Sequence, residues 1–172
     1  MANTTSTVPT TEREAYIATF ERESQTTLRV LKAYPANKVQ WKPAERSNSV
    51  TQIAWMLVLT QFITEPVLSA PKLTPEGLPQ PPADWDTLVS TFEKAHADAM
   101  KRLTKATDDV YKSTLIMPAG PGGATAPVRR ADALWMFLFD AIHHRGQLSV
   151  YLRAVGGKVP DIYGGSGDEP WQ

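Results

Sequence analysis

From Arg130 to Val155 the chain keeps one helical period for roughly seven turns, then stops at Gly156-Gly157, with Pro160 just beyond. Leu134, Phe137, Ala141, His144, Leu148, Tyr151 and Val155 recur at steps of three and four, which places them on one stripe of an α-helix. Glycine supplies the left-handed residue that ends such a helix, and the proline prevents its resumption. A stripe of this length must be covered by other secondary structure. The cover has to come from a chain of 172 residues, enough for one sizeable core and short for two.

Three further segments carry the same period. The first follows Thr11, which with Glu14 makes a T-x-x-E capping box, and runs over residues 12–33 through Ile17, Phe20, Leu28 and Leu31 to Pro35. The second starts at Ser49, with Gln52 as its capping partner, and continues through IAWMLVLTQFI to Pro66 or a little beyond. It is apolar on nearly every side, so it is expected to be buried on more than one face. The third opens at Asp84 and carries Trp85, Leu88, Phe92, Ala95, Ala99 and Leu103 to about residue 106, with charged residues between them. Residues 70–83, APKLTPEGLPQPPA, are too proline-rich for a tight hairpin and long enough to run the length of a bundle, so the helices they join can lie parallel. Residues 118–127, PAGPGGATAP, form a second long connection, which TLIM approaches as a short strand or irregular stretch. Strand signals are otherwise weak. The expectation is an all-α protein, a four-helix bundle with long crossover connections forming one domain over 1–172, with 1–10 a flexible arm and 157–172 a tail.

Eighteen basic residues balance eighteen acidic ones, and no long Lys/Arg run occurs, so nucleic-acid binding has no electrostatic source. The absence of cysteine excludes disulfides and thiolate chemistry from the protein itself. No apolar stretch reaches a membrane span and no signal-peptide pattern opens the chain, so a soluble, cytoplasmic protein is expected. The glycines at 120, 122 and 123 lack the G-K-[ST] of a phosphate loop.

The chemistry concentrates in FDAIHHRGQ, residues 139–147. Asp140 and His144 are one turn apart on one face, close enough to chelate an ion, while His143 is rotated about 100° toward the flank. Zinc, nickel, iron and manganese all accept such ligands, but two do not make a tight site. The competing reading is a hydrogen-bonded pair in which the aspartate steadies the imidazole. Gln61, Glu65 and His96 are available as third donors, although His96 reads first as a core-edge histidine satisfied by water or a neighbour. Arg145 can orient an anion or bridge to a neighbouring helix. Gly146, which weakens a mid-helix position, suggests close helix approach. Trp55 and Met56 can line a pocket or simply fill the core.

The run HHRGQLSVYLRAVGGKVPDIYG resembles the C-terminal signature of the DinB/YfiT-like superfamily, and Trp41-Lys42-Pro43 and Ala54-Trp55 fit it as well. The resemblance implies a four-helix bundle, commonly a homodimer, with a divalent metal on three histidines: one from the second helix and two from the last. It also implies thiol-transferase or isomerase chemistry with a low-molecular-weight thiol in the members of known activity. Carried over by position, His144 is kept, Asp140 replaces a histidine, and Met56 stands where the second helix would supply its ligand. A thioether binds hard divalent cations poorly. Two readings follow. One is a bundle with a degenerate metal site, a dimer that binds a small molecule or a metal weakly, with Met56, Trp55, His143 and Arg145 around the pocket. The other is a metal-dependent thiol transferase or hydrolase built on Asp140 and His144. The sequence assigns no catalytic residue and no substrate.

Overall fold

The computed structural model describes residues 8–74 and 76–171. The arm expected over 1–10 lies mostly outside them. The elements are α1 (Glu12–Lys32), α2 (Val50–Phe62), α3 (Thr64–Ser69), α4 (Trp85–Lys105), α5 (Asp108–Lys112), β1 (Thr114–Pro118), β2 (Thr125–Arg129) and α6 (Arg130–Ala154). Both capping boxes form: the Thr11 hydroxyl accepts from the Glu14 amide and the Ser49 hydroxyl from the Gln52 amide, while each N3 side chain returns a bond to the cap residue's own amide. Gly156, with φ of 81°, ends α6 in the left-handed conformation.

Helices α1, α2, α4 and α6 form the bundle, with α2 packed on α6 and α4, and α1 on the same two helices. The apolar interior divides in two. One cluster gathers the end of α1, the starts of α2 and α4 and the end of α6, around Leu31, Ile53, Leu57, Leu88, Phe92 and Leu152. The other gathers the start of α1, the end of α4 and the start of α6, around Tyr16, Phe20, Leu103, Tyr111, Leu115 and Leu134. This grouping gives an up-down-down-up bundle in which α2 and α4 run parallel. The proline-rich crossover makes that possible: it starts at one end, pairs briefly with β1 through Leu73 N–H to Ile116 O (2.7 Å), and receives the Trp55 indole N–H at Pro79 O (3.1 Å) on its way back.

Between the two clusters lies a belt of buried polar side chains: Glu23, Ser24 and Thr27 from α1, Thr60 and Gln61 from α2, His96 from α4 and Arg145 from α6. Every buried side-chain nitrogen and oxygen among the described residues has a hydrogen-bond partner, the condition under which such a belt is tolerated in a core.

Three local features differ from the sequence reading. The second helix breaks at Ile63 because a continuous helix would drive the Pro66 ring into the carbonyl of residue 62; Pro66 instead sits in the first turn of α3, where no N–H is needed. TLIM does form a strand, β1, but the end of the following connection returns as a second strand, β2, antiparallel to it with Thr114 opposite Arg129 and Pro118 opposite Thr125. The short α5, capped by Thr107, precedes it.

Candidate functional site

On α2, Met56, Leu59, Thr60 and Ile63 follow one another at helical steps and face Phe137 and Asp140 of α6. With Leu78 from the crossover as a seventh wall they enclose a cleft of about 200 Å³. The two positions that would carry metal ligands in the resembled family, 56 and 140, therefore open on the same space. The Thr60 hydroxyl donates to the Met56 carbonyl (3.1 Å), as threonines in helices commonly do.

Asp140 sits at the rim, its side chain 57% exposed, and His144 is better covered at 16%. His144 Nε2 lies 3.4 Å from Asp140 Oδ2, a close approach but longer than a good hydrogen bond. The other ring nitrogen, Nδ1, is 2.9 Å from Gln147 Oε1. Nε2 thus faces the carboxylate while Nδ1 faces the Gln147 amide, and which nitrogen carries the proton follows the tautomer.

The deepest line of α6 is Leu134, Leu138, Ala141, Arg145, Leu148 and Leu152, one step round from the stripe read in the sequence. That rotation moves Asp140 to the edge and brings Arg145 inside, where it is 1% exposed. Arg145 Nη1 bonds the Glu23 carboxylate (2.7 Å) and Nη2 bonds the Tyr163 hydroxyl (2.6 Å), which in turn donates to the same carboxylate (2.7 Å). Burial pushes the Glu23 carboxyl up, and the hydrogen bonds from Tyr163 and Arg145 with the guanidinium charge outweigh it, so Glu23 titrates below its ordinary value. Of the two roles open to Arg145, the structure supports the interhelical bridge. The same triad pins the C-terminal tail, which Arg29 and Arg153 also hold through Asp161, Glu169 and Asp168.

The other pocket candidates lie elsewhere. Trp55 is buried with its indole turned to Pro79, and His143 is exposed on the outer face of α6. His96 is held between Gln61 Oε1 (3.1 Å) and Glu21 Oε2 (2.9 Å), and Glu65 pairs with Arg102 (2.8 Å). Neither they nor Gln61 join Asp140 and His144. Leu59, Thr60, Ile63 and Leu78 were not singled out by the sequence, and Phe137 was read only as part of the α6 stripe. Thr60 and Ile63 are signalled by their four- and seven-residue offsets from Met56, whereas Leu78 reaches the cleft through tertiary folding alone.

A transition-metal centre needs three or four protein donors. No group of three His, Cys, Asp or Glu side chains suited to an ion occurs among the described residues. One imidazole, one half-exposed carboxylate and a thioether across the cleft do not fit the implied metal.

A four-helix bundle whose second and last helices enclose a small cleft at their midpoints defines the class. The DinB family pattern matches residues 1–171, and the chain belongs to that family. Solved structures of similar fold include a DinB-like protein from Bacillus cereus (20% identity, 87% of this chain and 97% of that one, TM-score 0.70). Another is YfiT from Bacillus subtilis, described as a probable metal-dependent hydrolase with an unusual four-helix bundle topology (13%, 89% and 93%, 0.65). The mycothiol-dependent maleylpyruvate isomerase also matches (12%, 82% and 61%, 0.60), so this chain spans under two thirds of that protein. No curated protein matches by sequence. No helix among the described residues is long and apolar enough to cross a membrane.

Proposed function

We propose that this chain is a small-molecule-binding member of the DinB family in which the metal centre has been replaced by a ligand cleft. The supporting observation is that Met56 and Asp140 wall one mostly apolar cleft of about 200 Å³ that lacks a third donor for an ion. Small-molecule sites have this composition, apolar walls with one or two placed polar groups. Titration with benzyl alcohol, followed through methyl NMR signals, is expected to give saturable shifts at Met56, Leu59 and Ile63. Shifts that do not saturate, or that avoid these residues, defeat the reading.

The metal-dependent thiol-transferase or hydrolase reading draws support from one observation, the 3.4 Å approach of His144 to Asp140, and from what YfiT is described as. It lacks a protein donor to complete the site, and a thiol remains one candidate ligand of the cleft.

We also propose that the protein is a homodimer through the outer face of α6. Met136, Phe139 and Val150 are exposed there, Phe139 by 60%. With His143 and Gly146 they fall at alternating steps of three and four, the spacing of a helix seam. Among the described residues, nothing beyond the helix's own neighbouring backbone lies within 4 Å of a Cβ built on Gly146, so packing among them does not explain this glycine. It would permit close approach of a second helix. Phe139→Glu is expected to shift sedimentation equilibrium to the monomer while leaving helical content unchanged; a wild-type chain that is already monomeric at high concentration rules the interface out.

A further inference from the structure

The polar side of the cleft carries one formal charge, and it is negative. Asp140 is the only charged group in its lining, and its one ionic neighbour among the described residues is the His144 ring at 3.4 Å. Thr60 has its hydroxyl proton committed to the Met56 carbonyl. A carboxylate or phosphate ligand would face the charge of Asp140 with no cationic side chain in the lining to offset it. An ammonium group would find acceptors for its N–H bonds.

The walls suit the same ligand. Phe137 offers an aromatic ring, which attracts cations through its face. Met56 offers a polarizable thioether that packs against irregular apolar shapes. A cavity of roughly 150 Å³ takes benzene, so this cleft has room for a ring or a branched chain of that size. The carboxylate stands at the rim, which places the charged end of a ligand at the mouth and its apolar stem within.

We infer that the cleft recognises a small organic ammonium with an apolar stem, its charge held by Asp140. This rests on the ligand-cleft reading above and adds the sign of the ligand's charge. Benzylamine, protonated at neutral pH, benzyl alcohol and benzoate share a stem and differ in charge. Calorimetric titration at low ionic strength is expected to show benzylamine binding about tenfold more tightly than benzyl alcohol, an advantage within reach of a rim ion pair combined with a cation–π contact. Benzoate should bind most weakly. Asp140→Asn, at an exposed position where the fold is not at stake, should bring benzylamine down to about the affinity of benzyl alcohol, with the alcohol changing far less than the amine. Added salt should narrow the gap in the wild type. Equal or tighter binding of the alcohol, or an amine affinity indifferent to Asp140→Asn, overturns the cation assignment while the cleft stands. Absence of saturable binding by all three in the millimolar range overturns both.

Discussion

Replacing Arg145 with methionine is expected to lower the stability of the fold by about 3–5 kcal/mol near neutral pH, the cost of leaving a buried charge without its partner. Arg145 and Glu23 are both almost wholly buried; the Tyr163 hydroxyl donates to the same carboxylate oxygen, and the solvent-exposed Arg22 bonds the other. The pH dependence gives the loss a signature. In the wild type the Glu23 carboxyl titrates below its ordinary value, so its contribution is present above the unfolded value and is lost as pH falls through the folded one. Without the guanidinium, only Tyr163 and the exposed Arg22 are left to offset the burial, so the folded value should rise. The variant is then penalised at neutral pH and recovers part of the difference as acid protonates Glu23. Adding Glu23→Gln to Arg145→Met should return part of the stability at neutral pH. Urea denaturation across this pH range checks both points; a loss under about 1 kcal/mol, smaller than a buried pair implies, or a loss that does not shrink in acid, contradicts the burial of this triad.

The second large effect concerns metal. Met56→His places an imidazole on the wall of the cleft that Asp140 shares, beside which His144 stands. The donor set becomes two imidazoles and a carboxylate, a combination that holds zinc in known catalytic sites. Changes in supporting residues around such sites move affinity by 10–100-fold, so supplying a ligand itself should raise zinc affinity at least about a hundredfold over the wild type. His144→Ala in the same background should abolish the gain. If Met56→His binds zinc no better than the unmodified chain, positions 56, 140 and 144 do not converge as described.

Much of this architecture could be read in advance, because capping boxes and amphipathic period are local signals. The first, third and last bundle helices begin and end within about one residue of where Thr11, Asp84, Arg130 and Gly156 place them, well inside the usual spread of boundary assignment. The register of α6 was not readable in the same way. Phe137 and Leu138 are both apolar, so two stripes one step apart fit the pattern equally, and a charged Arg145 argues for the wrong one. Its burial depends on Glu23, separated by 122 positions in sequence, which no local pattern can reveal. The hairpin of β1 and β2 was obscured by proline in both strands, and Leu78 of the cleft sits in a connection without periodicity. Asp140 stood out by its one-turn spacing from His144, whereas Met56 gained a link to it only from what a resemblance says that position usually holds.

The central claim is that this member of the DinB family keeps the cleft and has given up the ion. Elemental analysis of the full chain, purified without added metal or chelator, addresses it directly. The account predicts transition metal far below one equivalent per chain, with thermal stability unchanged by chelator. About one tightly held zinc, nickel, iron or manganese per chain, lost on His144→Ala, would contradict it.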